Sequence, residues 1–123
     1  MESNAMVISL GLNELINPFV EDSTIEWVDL GEGVSRKIMS YDSRIMLVKV
    51  GFVKGAVGTL HHHYHTQISY IESGTFEVEI DGKKEILHTG DVFHAAPNLI
   101  HGVVCLEAGV LIDVFSPMRE EFI

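Results

Sequence analysis

The most chemically suggestive stretch of the chain is "HHHYH" at 61–65, which places four histidines within five residues. The run lies mid-chain between two segments that predict strands, so it belongs to the fold rather than to an affinity tag. In an extended strand, His61, His63 and His65 share one face and His62 lies on the other. Two imidazoles at i and i+2 can point at one ion, and imidazole suits zinc, copper, iron and nickel. The spacing therefore predicts a transition-metal site without identifying the ion.

A second chemical feature is a carboxylate inside the apolar segment "VLIDVF", residues 110–115. A strand here places Leu111, Asp113 and Phe115 on one face. Burying a charge is costly unless the group is paired or functional. Asp113 is therefore predicted to be either an acid–base group or one half of a salt bridge.

The residues after this strand bring an arginine into consideration. Ser116-Pro117 has the form of a helix cap followed by proline at the first helical position. One helical turn there would return Arg119 to the mouth of the fold, where its fork of donors could grip a carboxylate. The alternative is an exposed arginine on a polar tail.

Composition limits the classes of protein to which the chain can belong. A length of 123 residues, with 46% hydrophobic and 21% charged residues, predicts one globular domain with one core. The net charge of -10 opposes nucleic-acid binding, and an anionic small substrate would need local positive charge. Cys105 is the single cysteine, which excludes an internal disulfide and predicts a small buried hydrophobe. No membrane span or secretory leader is predicted, so a cytoplasmic location is expected.

Short strands separated by glycine turns dominate the chain after residue 40, which predicts an all-β fold. The pair Asp81-Gly82 is the strongest hairpin signal, and another turn is expected at 107–109. At least seven short strands predict a sandwich or a small barrel that encloses one small ligand. The predicted strands include 44–53, 75–80, 83–87 and 110–115.

The amino terminus gives weaker signals than the rest of the chain. "MESNAM", residues 1–6, contains Ser-Asn-Ala-Met, a common vector remnant, and is set aside. Residues 7–20 are compatible with either a short helix or an edge strand. The expected organisation is a single domain over 7–123.

Two motifs resemble those of the cupin superfamily. "GAVGTLHHHYHTQISYIESG", residues 55–74, matches the spacing of the first cupin motif, with Gln67 at the position usually held by glutamate. "GDVFHAAPNLIHG", residues 90–102, resembles the second motif and ends near His101. The resemblance implies a small cupin domain, a double-stranded β-helix or jelly-roll barrel. It also implies one divalent transition metal, Ni, Zn, Mn or Fe, held by His61, His63, Gln67 and His101.

From about residue 27 onward, the chain is similar to the pectin-degradation cupins of the KdgF type. The similarity rests on "HHHYHTQISYIESG", "PNLIHGV" and "DVFSPMREEF". It implies an enzyme that opens 4,5-unsaturated uronates, the small anionic sugars left by pectin or alginate lyases, to linear 4-deoxy-5-keto uronates. It assigns Asp113, Phe115 and Arg119 to catalysis or substrate placement.

Two other functions stay open at this point. A redox dioxygenase would need a redox-active metal and oxygen, and it often has glutamate at position 67. A non-catalytic sugar-binding module usually accompanies a DNA-binding domain, for which 123 residues leave no room.

The facing of two further histidines and the assembly of the chain also remain as expectations. The sequence leaves open whether His65 or His94 lines the site. A homodimer is expected, because exposed strand edges invite pairing, with Trp27 in "IEWVDL" at or near the interface.

Overall fold

A computed structural model describes residues 17–123, which form eight strands and two short 3-10 helices. The all-β prediction is confirmed. Residues 1–6, residues 7–16 of the segment left open between helix and strand, and the start of the predicted domain lie outside this range. Residues 17–20 form neither helix nor strand. The strands are β1 (Val28–Gly31), β2 (Val34–Asp42), β3 (Ile45–Phe52), β4 (Val57–His61), β5 (Thr66–Ile80), β6 (Lys83–His88), β7 (Val92–Ala95) and β8 (His101–Ser116), and the 3-10 helices are Asp22–Thr24 and Glu120–Phe122.

The strands pair in the order β1-β2-β3-β8-β5-β6, with β4 also paired to β8 and β7 to β5. All of these pairings are antiparallel. β5 and β8, of 15 and 16 residues, pair with each other along most of their length. Each of β3, β4, β6 and β7 also pairs with one of these two strands, so β5 and β8 form the centre of the sheet.

The long strands are continuous where the sequence predicted an interruption. Glu107-Ala108-Gly109 was expected to form a turn, but it lies inside β8. Its register with β5 instead shifts between Ile71 and Phe76, an irregularity of the kind that bends a strand. Irregular pairing of this kind absorbs a bend without ending the strand.

This bend brings two backbones into contact at Gly109. A Cβ atom added to Gly109 would collide with the carbonyl group of Ser73 and with the Cα of Gly74. Backbone cannot move aside as a flexible side chain can. We therefore expect Gly109→Ala to lower the free energy of unfolding by about 1–3 kcal/mol or more, as overpacking does. Thermal melting checks this, with Gly82→Ala as control, since a Cβ at Gly82 meets nothing within 4 Å and only its φ of 82° opposes the change.

The predicted hairpin is confirmed. Asp81 and Gly82 adopt φ angles of 51° and 82°, the left-handed pair that a two-residue hairpin turn requires. The turn joins β5 to β6, whose register pairs Ile80 with Lys83.

Two hydrophobic clusters fill the interior. The larger cluster includes Phe52, Ile71, Phe76 and Cys105. Cys105 is 1% exposed, and burial raises the pKa of its thiol, so the prediction of a buried hydrophobe is confirmed. The smaller cluster is built on Met46, Val48 and Phe115, and Ile38, Tyr41, Val50, Met118 and Phe122 pack against it.

The helix cap predicted at Ser116-Pro117 is wrong. Ser116 is the last residue of β8, and its hydroxyl donates to the carbonyl of Arg44 rather than to a helix amide. The 3-10 helix begins later, at Glu120. In the described range, no helix is long and apolar enough to span a bilayer.

Candidate metal centre and active site

Three histidines from separate parts of the chain meet at one point. His61 is the last residue of β4, His63 lies in the connection between β4 and β5, and His101 is the first residue of β8. Antiparallel pairing sets His61 directly against His101. One ring nitrogen from each of the three lies within 4.8 Å of the others, a grouping that could hold a metal ion.

The hydrogen bonds of these imidazoles fix which nitrogen is free. Nδ1 of His61, His63 and His101 lies 2.8, 3.0 and 2.9 Å from the backbone carbonyls of Thr59, His65 and Leu99. A carbonyl can only accept, so each Nδ1 carries the proton. The Nε2 atom of a neutral ring then presents a lone pair. Holding one nitrogen by a backbone carbonyl is the usual way in which a metal-binding histidine is oriented.

Burial keeps the rings of His63 and His101 neutral. It lowers the pKa of His63 to about 4, and the nearby charge of Arg119 acts in the same direction. Burial also lowers the pKa of His101, which is 3% exposed. Neutral imidazole is the form that binds a metal.

Gln67 adds an oxygen to this group. It is the second residue of β5 and is 5% exposed. Its Oε1 lies 3.0 Å from Nε2 of His63 and 3.1 Å from Nε2 of His101. Because Nδ1 carries the proton in both His63 and His101, each Nε2 atom directs a lone pair towards the lone pairs of Oε1 of Gln67. A bound cation would satisfy all of them, so the donor set fits a metal ion.

The orientation of Gln67 is set by a buried chain of hydrogen bonds that leads to Asp113. The amide nitrogen of Gln67 donates to Oγ of Ser69 at 2.9 Å, and that hydroxyl donates to Oδ1 of Asp113 at 2.6 Å. Ser69 is fully buried. Because its proton points to Asp113, the hydroxyl must accept from Gln67, which turns the amide oxygen towards the histidines. Sequence reasoning missed Ser69, whose only signal was its inward position on the alternating strand.

Asp113 lies on β8 opposite Ser69 and is 9% exposed. Burial raises the pKa of its carboxyl to about 6, although the Ser69 hydrogen bond and the charge of Arg119 act against this. The ion pairs formed within residues 17–123 do not include Asp113. A carboxyl with such a pKa can both accept and return a proton near neutral pH.

The two other residues assigned from the sequence lie beside this group. Phe115 is 3% exposed, and its ring stands edge-on to His63 with centroids 5.9 Å apart. The guanidinium carbon of Arg119 lies 5.1 Å from the centre of that ring. Nε of Arg119 also donates to Oε2 of Glu121 at 2.7 Å. Arg119 is thus held against the site rather than on a free tail, although the predicted helix turn did not place it there.

A cavity of about 640 Å³ opens onto this group. Six residues predicted to work in the site are among its lining: His61, Gln67, His101, Asp113, Phe115 and Arg119. Arg36 and Phe122 also line it and were not predicted. Arg36 had a sequence signal of the same kind as Asp113, because it alternates with Val34 and Ile38 on one face of β2. Phe122 gave no such signal.

Two other histidines do not line the cavity. The prediction that His65 shares a face with His61 and His63 is wrong, because β4 ends at His61 and the chain bends at residues 64–65. His65 is buried at 3%, and both of its ring nitrogens lack a partner among the described residues. His94 is exposed and lies opposite Ile68, which is also exposed, so it points away from the interior.

Comparison with known proteins decides the family. The protein-family model of the cupin domain matches residues 48–115 of the chain. The pectin degradation protein KdgF of Dickeya dadantii (strain 3937) is 51% identical over 107 residues, covering 85% of this chain and 96% of that protein. The chain is a cupin of the KdgF family.

Solved structures agree with this assignment. An RmlC-like cupin from Shewanella frigidimarina superposes on the cupin with a TM-score of 0.85 and 41% identity, covering 87% of this chain and 96% of the other. The structure of KdgF from a Halomonas species superposes with a TM-score of 0.84 and 41% sequence identity, covering 87% of this chain and 99% of the other. The predicted cupin fold, a jelly-roll barrel, is confirmed.

Proposed function

We propose that this cupin is a metal-dependent enzyme that opens the ring of 4,5-unsaturated uronates to give linear 4-deoxy-5-keto uronates. The observation that carries the proposal is one cavity lined both by His61 and His101, two of the three grouped histidines, and by Asp113, a buried carboxyl whose pKa is about 6. The 51% identity to a protein named for pectin degradation supports it. A cytoplasmic location and a substrate derived from pectin or from alginate are part of the proposal.

The reaction is an isomerisation, so every atom of the substrate is kept. The hydroxyl on C1 loses its proton, the bond from C1 to the ring oxygen breaks, and C1 becomes an aldehyde. The electron pair left on the former ring oxygen forms the C5 ketone as C4 takes up a proton. One group that removes the first proton and returns it at C4 satisfies the balance.

Asp113 is the residue suited to this transfer. Its pKa of about 6 leaves the carboxylate populated at neutral pH while keeping the acid form accessible. The hydrogen bond from Ser69 fixes Oδ1, which leaves Oδ2 for the substrate. Arg119 orients Asp113 and stabilises negative charge, and Phe115 shapes the pocket and excludes water.

His61, His63, Gln67 and His101 would hold one divalent transition metal ion, Ni, Zn, Mn or Fe. When bound, this ion supplies Lewis-acid polarisation of the substrate oxygens. Gln67 contributes a neutral ligand and is tied through Ser69 to Asp113. A chain of hydrogen bonds therefore links the metal-binding residue Gln67 to the acid–base group Asp113.

The deciding experiment follows the alkene absorbance of unsaturated uronate monosaccharides prepared with pectate lyase and with alginate lyase. We expect metal-loaded protein to speed its loss well above the rate in buffer with the metal alone, with the keto product identified by NMR. An oxygen electrode run in parallel should record no uptake. Binding without turnover would indicate a sugar-binding module, and oxygen uptake would indicate a dioxygenase.

Assembly as a homodimer is also part of the proposal. β1 lies at one end of the strand order, all four of its residues are exposed, and the adjacent Trp27 is 43% exposed. A strand edge without a partner among residues 17–123, next to an exposed aromatic side chain, favours pairing with a second copy. Light scattering at micromolar concentration should give the mass of two chains. The mass of a single chain would contradict the proposal.

A further inference from the structure

The wall of the cavity carries a second arginine that the proposed chemistry does not use. Arg36 lies on β2 opposite Val50 of β3, and both residues line the cavity. Its neighbour Lys37 points to the other side, where it pairs with Asp22 and lies 4.9 Å from the ring centre of Trp27. Alternation along β2 thus sends one member of the Arg36-Lys37 pair into the cavity and the other away from it.

The head groups of Arg36 and Arg119 contact the same aromatic ring. The guanidinium carbon of Arg36 lies 4.2 Å from the centre of the Phe122 ring, and that of Arg119 lies 4.6 Å from the same centre. Contacts of this kind are attractive and restrict the rotation of a long side chain. Phe122 therefore positions both arginines on the lining of one cavity.

The two arginines differ in electrostatic environment. Arg119 has a carboxylate partner of its own chain, since its Nε contacts Glu121 at 2.7 Å. Arg36 enters no ion pair with residues 17–123. Glu32 also lines the cavity but is exposed at the β1–β2 turn, where solvent screens its charge. In a chain of net charge -10, Arg36 gives the cavity the local positive charge that an anionic substrate needs.

We propose that Arg36 binds the ionised C6 carboxylate of the uronate and so determines specificity for a charged acid over its ester or a neutral sugar. This deepens the proposed function and rests on it. The planar fork of a guanidinium matches a carboxylate with two parallel hydrogen bonds. Arg119, already paired with Glu121, is left to orient Asp113. An esterified substrate leaves the half-buried donors of Arg36 without their charged partner, which is the basis of discrimination.

The test compares Arg36→Gln with Arg44→Gln on the ionised substrate and on its methyl ester. Arg44 is exposed in the β2–β3 turn, so its variant changes the net charge equally without touching the cavity. Loss of a charged hydrogen-bonded pair should raise KM for the ionised substrate by about 10- to 100-fold, with kcat within about threefold. Esterification of the substrate should raise KM of the wild type by a similar factor. It should not raise KM of Arg36→Gln any further. Arg44→Gln should behave as wild type.

Equilibrium binding separates this inference from the proposed reaction. Calorimetry with D-galacturonate and its methyl ester measures recognition of the carboxylate without any ring opening. Arg36-dependent preference for the acid in a protein that opens no ring would sink the proposed function and keep the inference. Turnover that Arg36→Gln leaves unchanged, or an ester penalty equal in Arg36→Gln and wild type, would overturn the role of Arg36. Wild type that neither binds nor turns over would overturn both.

A conservative variant guards against misfolding. Arg36→Lys keeps the charge and loses the fork, so its KM for the ionised substrate should fall between those of wild type and Arg36→Gln. If Arg36→Gln does not fold, Arg36→Lys carries the same comparison of acid and ester. A lysine variant that matches wild type on both substrates would contradict recognition through the fork.

Discussion

Asp113→Asn should retain the fold and the bound metal but lose about two to four orders of magnitude in ring-opening rate. Asparagine keeps the size of the side chain and can still accept the hydrogen bond from Ser69, but it cannot exchange a proton. The measurements are the single-turnover rate, the metal content and the melting temperature. A fully active variant would end the assignment of Asp113 as the proton carrier.

The melting temperature of the same variant tests the alternative role of Asp113. The pKa of its carboxyl is about 6 in the fold, against an ordinary value of 3.8. Ionisation therefore opposes folding, and the free energy of unfolding of metal-free wild type should decrease as pH rises from about 4 through about 6. Asparagine does not ionise and so avoids the cost of burying a charged carboxylate. The variant should therefore be no less stable than wild type at pH 8. A loss of several kcal/mol there would instead indicate a broken ion pair.

The second large effect is expected from the metal group. His101→Ala removes a buried ring whose Nε2 faces Gln67, leaving two histidines at the site. We expect affinity for the divalent ion to fall by more than about a hundredfold, since changes at residues that merely support a ligand cost 10- to 100-fold. Ring opening should fall with metal occupancy. Metal titration of stripped protein, read by calorimetry, measures the effect directly.

His94→Ala is the matched control for this change. It removes the same side chain from an exposed position on the outer face of β7. Its metal affinity and rate should equal those of wild type.

Removal of the metal from wild type with a chelator should abolish turnover, and addition of a divalent metal should restore it. Unchanged affinity in His101→Ala would show that the ion, if bound, lies elsewhere.

Much of the site could be predicted because its signals are local. The i, i+2 spacing of His61 and His63, and an aspartate in an otherwise apolar strand, can be seen in a few consecutive residues. Alternation also predicts that Leu111, Asp113 and Phe115 share a face, and the structure buries all three. The Asp81-Gly82 turn is local in the same sense, since two residues that tolerate a left-handed backbone specify it.

What only the tertiary structure decided is which side chains meet and where the strands bend. Ser69 and Asp113 are 44 positions apart, and only the pairing of β5 with β8 makes them partners. His65 departs from the alternation because the chain bends after β4, and β8 continues through Glu107-Ala108-Gly109 because a register shift absorbs the bend. Alternation gives the side of a strand on which a residue lies. It cannot say which side faces the cavity or what lies opposite, because that depends on non-local strand pairing. Only the fold therefore shows that Arg36 lines the cavity.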